Sequence, residues 1–298
     1  MRVLISGASG LIGSALSTAL RVRGDEVLAL VRRAPINPNE LQWHERGSIE
    51  PRAIETVDAV VHLAGRNVAA RWTAKTKREI FDSRVTGTRV LAEAVAESHR
   101  RAGIPKVFVS ASAIGYYGPR GDEILTEESS SGGGFLAEVV RRWEEATGAA
   151  REAGVRVVSP RIGVVLSREG GALAKILLPF RMGVGGKIGS GEQWISWIAM
   201  TDLVRILLRA LDDETMNGFY NAVTPQPVRN RHFVKALGMA LHRPAILPMP
   251  GFAIRALFGQ MGVETVLSSE RVIPMRLQDA EFRFEYPELE LALERVLG

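Results

Sequence analysis

An α/β fold, with a parallel sheet covered by helices on both faces, is predicted by three features of this 298-residue chain. Short β-branched runs alternate with longer amphipathic segments through the first half, the opening run ends in a glycine-rich turn, and the pattern loosens beyond Leu166. The first run is Val3–Ser6, followed by a helix pattern from about Leu11 to Arg23 and a second run at Val27–Val31. Val57–Leu63, a long helix pattern over Lys75–His99, and Lys106–Ser110 repeat the unit. Between Gly132 and Ala150, Leu136, Val139, Val140, Trp143 and Ala146 recur at three- and four-residue steps, which predicts a helix laid against a core; Val155–Pro160 is the next strand. Glycine-rich loops at Gly170–Gly171 and Met182–Gly191 follow, then a helix pattern at Asp202–Leu211, a strand-like Phe219–Val223, and a tail that ends in a helix at Leu289–Leu297. Two domains are expected. Residues 1–166 form the larger, to which the chain returns at about 195–224, and residues 167–298 form a smaller C-terminal one.

Composition narrows the function. With 46% hydrophobic and 24% charged residues the chain has the balance of an ordinary folded protein, which argues against disorder. No stretch approaches the ~20 apolar residues that span a bilayer, so no membrane partner and a cytoplasmic location are expected. The absence of cysteine excludes disulfides, thiolate chemistry and Cys-based metal sites. The histidines, His44, His62, His99, His232 and His242, show no metal-binding spacing, so no metal is expected. A net charge of +5 could attract nucleic acid, yet the bases are spread with no run longer than two, and no nucleic-acid partner is expected.

The glycine-rich turn carries the strongest chemistry. Gly7, Gly10 and Gly13 in SGASGLIG follow a strand directly and open a helix, the context of a dinucleotide-binding turn. Gly7 suits the tight turn, Gly10 admits a pyrophosphate to the backbone, and Gly13 lets helix and sheet approach; Ser9, Leu11 and Ile12 complete the anion-facing helix start. The fold is therefore predicted to be a Rossmann-like doubly wound sheet with a smaller C-terminal substrate domain. At the end of the second strand, where an acidic residue would select NAD, the chain reads Val31-Arg32-Arg33. A guanidinium there can hold a 2′-phosphate, so NADP(H) is the expected cofactor, with Arg32 the first choice and Arg33 the second; the alternative is a pair of ordinary surface arginines. Leu63, Ala64 and Gly65 end the next run, where small residues let backbone line the nicotinamide half, and Ser110 ends the one after.

With these motifs and SASAIGYYG (Ser110–Gly118) in view, the chain resembles an extended or atypical short-chain dehydrogenase/reductase. It is most similar to bacterial NAD-dependent epimerase/dehydratase-like "epimerase family" proteins that carry a C-terminal domain of unknown function. The stretches RWTAKTKREIFDSRVTGT, FLAEVVRRWE, GSGEQWISWI and RPAILPMPG support the likeness nearly end to end. The resemblance implies a Ser-Tyr-Lys site in which serine holds the substrate oxygen and tyrosine, its pKa lowered by lysine, moves the proton. Ser112 falls on the serine position, but the Tyr-x-x-x-Lys pair would fall within Phe135–Val140, which reads FLAEVV. Two further departures stand out. Arg84 occupies the place where relatives often carry Asn, and Ala199 stands where near relatives often carry His.

The candidate proton donors are accordingly Tyr117 or Tyr116, with Arg120 the only cation four residues beyond a tyrosine. Arg71, Trp72, Arg161 and Trp194 are candidates for the substrate cleft, against the alternatives of a capped helix start and a plain loop. Two readings remain. One is NADP(H)-dependent hydride transfer on a small carbonyl, alcohol or nucleotide-sugar substrate; the other is a non-catalytic NADP(H)-binding sensor or scaffold. A small-molecule substrate is the expected partner of the first, and a homodimer is left open.

Overall fold

Strand β1 (Arg2–Ser6) is buried almost throughout, as a central strand of a parallel sheet must be, and leads through the glycine turn into helix α1 (Leu11–Arg23). The computed structural model describes residues 1–43, 49 and 51–298; His44 lies outside the described residues. After α1 come β2 (Glu26–Val31), β3 (Glu40–Gln42), the short α2 (Pro51–Ile54), β4 (Ala59–His62), the 29-residue α3 (Ala74–Ala102) and β5 (Val107–Ser110). Next are β6 (Ser112–Ala113), β7 (Ile124–Leu125), α4 (Phe135–Glu145), α5 (Gly148–Glu152), β8 (Arg156–Ile162), β9 (Val164–Leu166) and α6 (Gly171–Arg181). The chain continues through β10 (Trp194–Ile195), β11 (Trp197–Ala199), α7 (Met200–Asp212), β12 (Gly218–Ala222), β13 (Val228–Arg229) and α8 (Asn230–Ala240). It closes with α9 (Gly251–Met261), β14 (Arg271–Val272), α10 (Met275–Asp279) and α11 (Leu289–Leu297).

The large sheet has the order β12-β8-β5-β4-β1-β2-β3, with β6 paired to β8, and every pairing is parallel. The order reverses between β1 and β4, so the crevice at their C-terminal ends is a topological switch point, the place where open α/β sheets bind ligands. On one face, Leu16 and Leu20 of α1 and Leu203, Ile206 and Leu207 of α7 pack on Val3, Ile5, Val61 and Val109. On the other, Leu91, Ala92 and Val95 of α3 cover Leu4, Val60 and Phe108. The α/β architecture read from the alternating runs is the one observed.

A separate apolar cluster joins α6, α8 and α11 through Leu173, Leu177, Phe180, Phe233, Leu237, Leu289 and Leu293, with Trp197 of β11. Asp202, fully buried at the start of α7, ties the C-terminal segment back by accepting from the backbone N–H groups of Glu285 and Tyr286 at 2.8 and 2.9 Å. The helix expected over 132–150 is two helices. Thr147 Oγ1 donates to the Glu144 carbonyl, and Gly148 follows, so the helix stops and restarts. The two-residue pairings β7–β14 and β10–β13 are too short to carry a period and left no mark in the pattern. Among the described residues no helix is long and apolar enough to cross a membrane.

Candidate active site

The turn between β1 and α1 is shaped by contacts that only glycine permits. Gly7 has φ 75°, and a Cβ there would come within 2.8 Å of the Ala64 backbone nitrogen; a Cβ on Gly13 would lie 2.1 Å from the Gly7 carbonyl oxygen. These approaches bring Leu63 and Ala64 against the turn, where Leu63 N donates to Ser6 O at 3.0 Å and Ala64 N to Ser6 Oγ at 3.4 Å. Gly10 caps α1 without a side-chain hydrogen bond, and the first turn of the helix carries no acid. The positive end of α1 thus opens on an uncapped, backbone-lined cradle that suits an anion. Ser9 is exposed beside it, and Leu11 and Ile12 are half-buried.

At the end of β2 the two arginines differ. Arg33 gives both terminal nitrogens to Glu40, at 2.7 and 2.6 Å. Arg32 is exposed, with no carboxylate within 4.0 Å among the described residues. Among the described residues, the guanidinium without a carboxylate partner is that of Arg32, while Arg33 is held by its neighbour.

Ser6, His62 and Ser110 are register partners across β1, β4 and β5 and form a polar row at the switch point. Ser6 Oγ and His62 Nδ1 share a 2.5 Å hydrogen bond; His62 Nε2 and Ser110 Oγ are buried without a partner among the described residues. Burial, and secondarily the charge of Arg84, push the His62 pKa down to about 4. His62 is thus neutral in the folded protein. As pH falls from near 6.5 to near 4 the unfolded chain takes up a proton that the folded chain refuses, so about 3 kcal/mol of stability is lost across that window. Urea unfolding at pH 7 and pH 4.5 should show this loss in the wild type and not in His62→Gln. Equal losses in both proteins would remove the assignment.

Three of the candidate site residues, Ser112, Tyr117 and Arg161, form a closed, buried network. Ser112 Oγ donates to Glu144 Oε1 at 2.6 Å; Arg161 Nε and Nη2 donate to the two oxygens of the same carboxylate at 2.8 and 2.9 Å. Arg161 Nη1 donates to Tyr117 Oη at 2.9 Å, and Tyr117 donates onward to Asn221 Oδ1 at 2.8 Å. Asn221 Nδ2 ends the chain on the Ile273 carbonyl, and its backbone N–H donates to Glu127. Burial alone would depress Arg161, but the hydrogen bonds and charge of Glu144 outweigh it and hold the guanidinium above its usual value. Tyr117 is pushed up to about 12 by burial, against the opposing charge of Arg161.

Three of the candidate residues sit inside this network. Tyr117 has no exposed surface, and its phenol is engaged twice. Ser112 donates its single proton to Glu144. Arg161, 2% exposed, pairs with Glu144, the counter-charge that a cation this deep requires. Tyr116 is different. It is half-buried, its ring lies 3.6 Å from Arg161 Cζ, and among the described residues its hydroxyl has no partner. Arg120 does not serve it, being paired bidentately with Glu123.

The place of the missing tyrosine is filled by packing. Phe135 meets Trp72 edge-on at 5.0 Å, Lys77 Nζ stands 5.1 Å from its ring centre, and Glu264 caps the start of α4 by accepting from Leu136 N at 2.9 Å. Trp72 Nε1 donates to Val68 O, Arg71 is exposed beside it, and Thr73 caps α3 through its hydroxyl. Trp194 belongs to another cluster, with Nε1 on Asp122 and its ring between the Arg229 and Arg271 guanidinium groups. The sequence reading missed Glu144 and Asn221. Glu144 is one helical step from Val140 on the apolar stripe, and Asn221 interrupts the run FYNAV; a polar residue inside an apolar pattern was the available signal.

Fold and site together define a dinucleotide-binding protein of the Rossmann type. The chain belongs to the NAD dependent epimerase/dehydratase family, which it matches over residues 3–222; residues 249–296 match a domain of unknown function, DUF1731. An epimerase family protein of Mycobacterium bovis is 45% identical over 95% of this chain and 93% of its own. The crystal structure of human epimerase family protein SDR39U1 (isoform 2) with NADPH superposes with a TM-score of 0.90 at 35% identity, covering 100% of this chain and 99% of the human one. A nucleoside-diphosphate sugar epimerase from Corynebacterium glutamicum superposes at 0.83 with 39% identity, covering 100% of this chain and 58% of that one.

Proposed function

We propose that the protein is an NADP(H)-dependent oxidoreductase of the epimerase type, acting by hydride transfer on a small carbonyl, alcohol or nucleotide-sugar substrate. The observation that carries the cofactor assignment is the open Arg32 guanidinium at the end of β2, one strand from a glycine cradle facing an uncapped helix start. The pyrophosphate would lie on the backbone of Gly7, Gly10 and Gly13, the 2′-phosphate against Arg32, and the nicotinamide half toward Leu63, Ala64, Gly65 and Ser110. That the human relative's structure contains NADPH supports the reading. The cofactor supplies or accepts a hydride; Tyr116 is the group of this chain available to exchange a proton beside it.

Replacing Arg32 with alanine is expected to weaken NADPH binding about tenfold, the worth of one charge-assisted hydrogen bond, and to leave NADH binding unchanged. Fluorescence titration of both cofactors measures this. A wild-type protein that prefers NADH would overturn the cofactor assignment.

The closure of the Ser112–Glu144–Arg161–Tyr117 network favours a second reading, a cofactor-binding sensor without turnover. It requires a partner whose affinity differs between NADP⁺ and NADPH, because a ligand with equal affinity for two states shifts neither. Binding of cofactor with no NADPH oxidation across a broad carbonyl panel would decide for it.

A further inference from the structure

We propose that Arg84 sets the redox preference of the cofactor site, favouring the reduced dinucleotide over the oxidised one. This inference rests on the NADP(H) reading and concerns which form the site holds. Arg84 projects from α3 beneath the loop that follows β4. A Cβ on Gly65 would lie 3.3 Å from Arg84 Cζ and 3.4 and 3.5 Å from its two terminal nitrogens, so the guanidinium packs directly on the Gly65 backbone. Its other side lies over the Trp143 ring, 5.2 Å from the ring centre.

Among the described residues the charge has no counter-charge. Nη1 donates to the Arg66 carbonyl at 2.9 Å and reaches the Ile80 carbonyl at 3.5 Å, and among the described residues no carboxylate lies within 4.0 Å. The neighbouring cations are neutralised, Arg161 by Glu144 and Arg66 by Glu79 at 3.3 Å. His62, the other titratable group in the row behind the loop, is uncharged at neutral pH. Burial lowers the Arg84 pKa to about 10, which still leaves it cationic at neutral pH. Among the described residues, therefore, the positive charge behind Gly65, at the C-terminal end of β4, is uncompensated.

A dinucleotide bound at the switch point would run from the end of β2 to the ends of β4 and β5, with its nicotinamide half over this loop. The oxidised ring carries a positive charge and the reduced ring carries none, while both forms carry the same phosphates. A fixed cation below the loop therefore attracts the phosphates of both forms alike but repels only the oxidised ring. At an effective dielectric of about 20, a unit charge about 12 Å from another changes an equilibrium about tenfold. A site biased in this way loads a hydride donor and disfavours the ring left after the hydride has passed to a substrate carbon.

The test is the ratio of dissociation constants for NADP⁺ and NADPH, by calorimetry or fluorescence, for wild type, Arg84→Asn, Arg84→Gln and Arg84→Lys. Loss of the tie to Arg66 weakens both forms together and cancels in the ratio. The expected result is a ratio that falls about tenfold in the two neutral variants and is retained in Arg84→Lys. A ratio within twofold of wild type in both neutral variants overturns the inference while leaving the cofactor reading intact. Failure of the wild type to bind either form overturns the cofactor reading itself, and this inference with it.

Discussion

Glu144→Ala should lower the unfolding free energy by about 3–5 kcal/mol, a large part of the stability of an ordinary domain. The loss comes from what remains. Arg161, 2% exposed, would keep its charge with no carboxylate to meet it, and Ser112 would lose its acceptor. Removing both charges together, as Glu144→Leu with Arg161→Met, should cost much less, because a packed apolar pair replaces a pair that has already been stripped of water. The neighbouring bridges of the same helix supply the contrast. Arg141 and Arg142 pair with Glu138 and Glu145 on the exposed side of α4, and breaking any one of these should change stability by less than about 1 kcal/mol. Urea unfolding of Glu144→Leu, Arg161→Met and the double variant forms a mutant cycle. If the single loss at Glu144 is no larger than a surface pair's, the buried network contributes nothing to holding β6, β8 and α4 together.

Much of the fold was legible because the features that set it repeat. Period-two and period-3.6 runs in the first half place β1, α1, β2, α3 and β5 within a few residues of where they stand, and the glycine turn lies at the switch point as its context implied. The site was legible only where the backbone makes it. Gly7 and Gly13 must be glycine for steric reasons that the sequence displays, but the partners of Ser112, Tyr117 and Arg161 come from residues 144 and 221, on elements far away in the chain. A side chain's chemistry is fixed by its partners, and long-range partners have no local signature. Residue type thus marked Tyr117 as a proton donor and Arg161 as a cleft residue, but gave no sign that the two are buried and paired with each other. The same rule separates the two arginines that end β2, since Glu40, on the neighbouring strand β3, takes Arg33 and leaves Arg32.

That distinction gives the two tyrosines opposite expected outcomes. Tyr116→Phe should lower the turnover of NADPH with a carbonyl substrate by about 10²–10⁴-fold, the usual worth of a positioned proton donor, and leave NADPH affinity unchanged. Its hydroxyl makes no bond within the described protein, so its removal strands no partner and stability should move little. Tyr117→Phe should do the reverse. It leaves Arg161 Nη1 and Asn221 Oδ1 unpaired in a buried site, at a cost of about 1–3 kcal/mol, while turnover per folded molecule changes by less than Tyr116→Phe changes it. Single-turnover absorbance at saturating cofactor, paired with urea unfolding, separates the two effects. If turnover follows Tyr117 instead, the network must open during the reaction, and the closed arrangement seen here is a resting form. If turnover follows neither tyrosine, the proton comes from outside the Tyr116–Tyr117 turn; if there is no turnover to follow, the sensor reading gains the ground that the oxidoreductase reading loses.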